Sequence, residues 1–122
     1  MRDRPTGTEL ADLVQRIEDG DGSVEVPHNV RYRELMMASA RAIAERQRDT
    51  GDVPERRERD SLIQILDKDD TLEDLNWALA EGIREGLFDP EIPISGSVRD
   101  HLWQTALDRV RESNPKVLEV KD

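Results

Sequence analysis

The chain contains no cysteine, only two histidines, three lysines and four aromatic residues (Tyr32, Trp77, Phe88 and Trp103). Without cysteine there is no disulfide, no zinc–thiolate site and no thiol nucleophile. No stretch approaches the ~20 consecutive apolar residues that span a bilayer. The opening MRDRPTGTEL lacks the apolar run of a signal peptide. These absences predict a soluble, cytoplasmic protein. Apolar residues make up 35% of the 122, below the usual share of about 45–50%. A thin apolar supply fits either a small, well-solvated helical domain or one that completes its core on a partner.

Charge excludes further classes. Asp and Glu number 28 against 18 Lys and Arg, a net charge of −10. Nucleic acid and anionic membranes both call for a basic surface, so neither is an expected partner. The positive charge is nearly all arginine, 15 against 3 lysines. Arginine's planar fork suits interfaces, although a solvated face is the ordinary fate of such residues.

What is present has helical periodicity. The sequence predicts an all-α single domain over residues 1–122, a bundle of about five helices with a long central second helix and short flexible ends. The first helix runs from about Gly7 to Glu18. Thr6 and Glu9 form a capping box there, and Leu10, Leu13, Val14 and Ile17 form the apolar stripe. The second runs from about His28 to Arg48, with Tyr32, Met36, Ala40 and Ile43 in one row and Val30, Met37 and Ala44 in another. This stripe reads as core.

The third helix starts at Val53 and Pro54 and ends near Asp67. Leu62, Ile65 and Leu66 are its buried face, and Glu55–Asp60 is a solvated mixed-charge turn. Thr71 and Asp74 cap the fourth, which stops near Gly86. The fifth spans about Ser97 to Ser113, before Asn114 and Pro115. Its rows Val98, Leu102, Ala106, Val110 and Trp103, Leu107 give a broad apolar face, wide enough for two contact surfaces. The last residues, from Lys116, read as an extended tail.

Trp77 breaks the pattern. On the fourth helix Leu72, Leu75, Leu79 and Ile83 share one stripe, and Trp77 falls away from it among Glu73, Glu81 and Arg84. A large ring on a charged face either finds cover in the monomer, for example under the Leu87–Phe88 loop, or anchors an interface. Trp77, Arg84, Trp103 and Leu107 are the candidate interface residues.

Catalytic signals are missing. There is no Walker loop, dinucleotide fingerprint or serine elbow. His28 and His101 have no metal-ligand spacing, and each reads as an exposed structural residue. Asp67, Asp69 and Asp70 lack the glycine and terminal glutamate of an EF-hand loop and read as a solvated linker. No catalytic, cofactor-binding or metal-ligating residue is assigned, and no cofactor is expected.

Several segments together resemble a known family. They are DRPTGTEL (Asp3–Leu10), MMASARAIAER (Met36–Arg46), LNWALAEGIREG (Leu75–Gly86) and ESNPKVLEV (Glu112–Val120). In order and spacing they are similar to a small bacterial helical domain family of long-unassigned function. Its members accompany proteins resembling aminoglycoside phosphotransferases, often with acyl-CoA dehydrogenases. The resemblance implies a non-catalytic companion subunit of a kinase acting on hydroxyacyl-CoA substrates, with ATP, magnesium and the catalytic aspartate on the large subunit. The residues alone leave open a freestanding helical adaptor, a homo-oligomer, or an acidic mimic of nucleic acid. Interspersed charge on most helices speaks against the mimic.

Overall fold

A computed structural model describes residues 1–26 and 28–119. Among these the chain is all-α: α1 (Gly7–Glu18), α2 (Val30–Thr50), α3 (Val53–Leu66), α4 (Leu72–Arg84), α5 (Ser95–Ser113) and a short 3-10 helix (Pro115–Leu118). No strand occurs among the described residues. The helices fall into two compact units. Arg2–Gly51 forms one, and Met1 with Asp52–Asp122 forms the other.

The first unit is the α1–α2 pair. Thr6 Oγ1 accepts from the Glu9 N–H at 3.3 Å and Glu9 Oε1 accepts from the Thr6 N–H at 3.1 Å, so the expected capping box forms. Arg4 donates to the same carboxylate. That bond, followed by those from Thr6, holds the Glu9 pKa at about 2. Gly7 is buried against α2. Its N–H donates to Gln47 Oε1 at 2.7 Å, and an added Cβ would lie 3.0 Å from Ala44 Cα. Ahead of α1, Arg2 makes hydrogen bonds to the end of α2 and the residue after it. Arg2 Nη2 donates to the Gly51 carbonyl at 2.6 Å and to Thr50 Oγ1 at 3.2 Å.

α2 is the longest helix, with 21 residues. It starts two residues later than its periodicity implied, because Asn29 Oδ1 accepts from the Tyr32 N–H and so caps the helix at Val30. Its apolar rows are not core throughout. Ala44 is its one buried residue among those described, and Val30, Tyr32, Leu35 and Met36 are exposed. The reason is geometric. α1 is a shorter helix whose stripe covers a neighbouring strip of α2, the one holding Met37, Ala40 and Ala44.

The second unit has its core where α3, α4 and α5 meet. Leu62, Leu75, Leu79 and Val98 are buried there, with Ile63, Ile65, Leu66, Leu72 and Phe88 packed against them. Each full burial of such a side chain contributes about 1.5–3 kcal/mol. α3 packs on both α4 and α5. Asp67 ends α3 in the left-handed conformation (φ 53°), and Thr71 Oγ1 accepts from the Asp74 N–H to start α4. Between them, Arg59 pairs with Asp69 and donates to the Asp70 carbonyl at 3.0 Å, so the aspartate linker is closed by arginine. The tail after Asn114 is not extended as expected. Pro115 fits the first turn of the 3-10 helix, which packs on α5. Val120, Lys121 and Asp122, which complete the expected tail, lie outside the described residues.

Candidate interaction surface

α5 is turned about its axis from the orientation its apolar rows imply, so that of those rows Val98 alone is buried. Val98, His101, Thr105, Asp108 and Glu112 recur at alternating three- and four-residue steps and form the inward row. Val98, His101 and Glu112 are buried. The row succeeds because α3 offers matching polar groups. His101 Nδ1 and Ser61 Oγ share a hydrogen bond of 2.8 Å. Arg57 Nη2 donates to Asp108 Oδ1 at 3.2 Å, and Arg111 approaches the same oxygen at 3.5 Å. Among the described residues no buried side-chain nitrogen or oxygen lacks a hydrogen-bond partner.

Two residues read as exposed are therefore buried. His101 retains only 5% exposure because α5 turns its polar row onto α3. Burial, followed by the nearby charge of the Met1 amine, pushes its pKa below the ordinary histidine value. Glu58, within the segment expected to be a solvated turn, is also buried. It accepts from the Met1 amine and, at 2.9 Å, from Asn76 Nδ2 of α4. His28, by contrast, is exposed as expected.

The apolar residues Leu102, Trp103 and Ala106 of α5 are left on the outside. Leu102 is 45% exposed and Trp103 68%. With Ile83 of α4, itself 45% exposed, and with Phe88, Pro90, Val98 and Ala106, they line a groove of about 610 Å³. Arg99 is the charged residue in that lining. Ile83 was expected in the α4 core stripe. It is exposed near the helix end, next to Gly82, over which Phe88 folds back.

Trp77 lies on the far side of α4 from Leu75, Leu79 and Gly82 and is 60% exposed. Phe88 packs over Gly82, and Leu87 is itself exposed. Arg84 is exposed on the same face, two turns on. Of the four sequence-selected residues, Trp103 alone lines the groove. Trp77 and Arg84 stand together on α4, and Leu107 is half-buried on α5. Ile83 and Phe88 were missed as residues of the groove. The signal available for them was Gly82, a helical glycine two residues short of the α4 end, which admits a ring close to the backbone.

No cluster of three or more His, Asp or Glu side chains suited to a metal ion occurs among the described residues. No helix among them is long and apolar enough to cross a membrane. What the arrangement leaves exposed is an apolar groove lined in part by Trp103, and Trp77 on the outer face of α4.

Sequence comparison gives the class. The family described as "Domain of unknown function (DUF6285)" matches residues 24–117, and the chain belongs to that family. The match takes in α2 to α5 and begins after α1. No curated protein and no solved structure matches the chain.

Proposed function

We propose that this protein is a non-catalytic accessory subunit that binds and supports a phosphotransferase-like kinase acting on hydroxyacyl-CoA substrates. The observation that carries the binding role is α5, which spends its polar row on α3 and leaves Leu102, Trp103 and Ala106 outside. A helix arranged in this way keeps apolar surface available at the cost of a larger core of its own. Tryptophan is enriched among interface hot spots, and two of the four aromatics here are exposed tryptophans. The kinase assignment rests on the resemblance of the four quoted segments. In such a complex, phosphorylation of the hydroxyl on the large subunit makes it a leaving group, and this chain stabilises that subunit.

The test is co-expression with a phosphotransferase-like protein encoded beside it. The two are expected to co-purify, and ATP-dependent phosphorylation of a hydroxyacyl-CoA is expected to rise when this chain is added. The isolated chain is expected to show no such activity. Full solubility and turnover of the kinase-like protein alone contradicts the reading. A tight complex with an unrelated protein favours the freestanding adaptor.

A further inference from the structure

Within the Arg2–Gly51 unit, α1 and α2 border a cleft whose floor and mouth differ in chemistry. The floor is mainly apolar, about 170 Å³ lined by residues including Leu10, Leu13, Val14, Met36, Met37 and Ala40, with Glu25 and Arg33 also in the lining. An apolar space of about 150 Å³ accepts a benzene-sized group, so this floor has room for one bulky apolar side chain. The mouth is wider, about 940 Å³, and shares Ile17, Val24, Glu25, Val26, Arg33 and Met37 with the floor.

Charge at the mouth has one dominant sign. Glu18, Asp21, Glu25 and Glu34 line it, against the single guanidinium of Arg33. Two of the carboxylates have cationic partners within the chain. Arg41 pairs with Glu18, and Arg16 Nε reaches Asp21 at 3.0 Å. Among the described residues Glu25 and Glu34 have no ion pair of this kind, so they are the carboxylates left to meet a ligand's charge. The net charge of −10 opposes a second copy on this surface. Complementarity therefore selects a cationic occupant with an apolar anchor.

We propose that the α1–α2 cleft is a docking groove for a basic amphipathic segment of a protein partner. One large aliphatic or aromatic side chain of the segment enters the floor, and flanking Lys or Arg side chains meet Glu25 and Glu34. Helix-in-groove recognition works in this way, with apolar anchors on one face and charges at the rim. The proposal rests on the reading of this chain as a binding subunit and adds a second surface, in the other unit from the α4–α5 groove.

Methyl NMR on the full chain with labelled methionine tests it directly, because two of the three methionines line the floor. The probe is a synthetic Leu/Lys amphipathic peptide of about four helical turns, with a Leu/Glu peptide of the same pattern beside it. The Met36 and Met37 methyl signals are expected to shift with the Leu/Lys peptide while Met1 stays in place, and the Leu/Glu peptide is expected not to bind. Glu25→Gln with Glu34→Gln should weaken binding about fivefold. The control pair Glu73→Gln with Glu81→Gln on α4 should leave it unchanged. Unmoved Met36 and Met37 signals, or an equal loss in the control pair, overturns the proposal. In that event the binding-subunit reading still stands if the wild-type chain co-purifies with the kinase-like protein. That reading fails on its own if no complex forms with wild type.

Discussion

Replacing Gly82 by alanine is expected to destabilise the protein, although the usual effect in a helix interior is the reverse. Alanine is favoured over glycine there by about 1 kcal/mol. At Gly82, however, the new Cβ would lie 2.4 Å from Phe88 Cε2, with Cζ and Cδ2 of the same ring at 3.2 and 3.3 Å. Carbon pairs settle at about 3.5–4.0 Å, so the ring must retreat by about an ångström or more. Phe88 packs against the Leu62–Leu75–Leu79–Val98 cluster, and retreat gives up part of that contact. Overpacking of this kind costs about 1–3 kcal/mol. Net of the propensity gain, a loss of up to about 2 kcal/mol is expected, up to roughly 10 °C in melting temperature for a chain of this size. Urea unfolding of G82A, F88A and the double variant measures it. In the F88A background, G82A should turn neutral or stabilising, which isolates the coupling. Gly96 in α5 has nothing within 4 Å of its would-be Cβ and serves as the control, expected neutral or stabilising. A G82A variant more stable than wild type by about 1 kcal/mol refutes the packing of Phe88 over α4.

Two other outcomes follow from the same unit. Leu75 is fully buried, so Leu75→Ala should cost about 2–5 kcal/mol in chemical denaturation, whereas Trp77→Ala should change stability by no more than about 0.5 kcal/mol. Equal losses at the two positions place the indole in the core. Burial first, and the Met1 amine second, depress the His101 pKa. The unfolded chain therefore takes up this proton first as pH falls. The contribution is complete above the unfolded histidine pKa of about 6.5 and declines as pH falls toward the lower folded value. Unfolding free energies measured between about pH 5.5 and 8 should fall on the acid side for wild type and fall less for His101→Gln. Identical pH profiles contradict the burial of His101.

Local signals in the sequence were legible because they act within a few residues. Thr6 with Glu9, Thr71 with Asp74 and the glycines near helix ends fixed most helix limits, and the Leu62 and Leu75–Leu79 positions read correctly as core. The orientation of α5 was not legible from periodicity. Its apolar residues outnumber the rest on one face, and apolar burial is the default expectation. What overrides it is a partner-specific match, Arg57 and Ser61 of α3 meeting Asp108 and His101 of α5 across 51 and 40 residues. No single-helix pattern contains that information. The same applies to Glu58, whose burial depends on Asn76 and the Met1 amine. In α2, Tyr32 and Met36 follow a core spacing but stand exposed. The exposed character of Trp77 was visible from its position opposite the leucine stripe. The meeting of Trp103 with Ile83 and Phe88 in one groove depended on the turn after α4.

The most direct measurement is a reconstitution titration. The phosphotransferase-like subunit is held at fixed concentration, and hydroxyacyl-CoA phosphorylation is followed as this chain is added, either wild type or carrying Trp77→Ala and Trp103→Ala. Activity is expected to rise to a plateau with wild type. The double variant, with unchanged stability, should need at least about 30-fold more protein to reach half of that plateau, since one hot-spot tryptophan is worth on the order of 2 kcal/mol. Superimposable curves for the two proteins, or full activity before either is added, contradict the account.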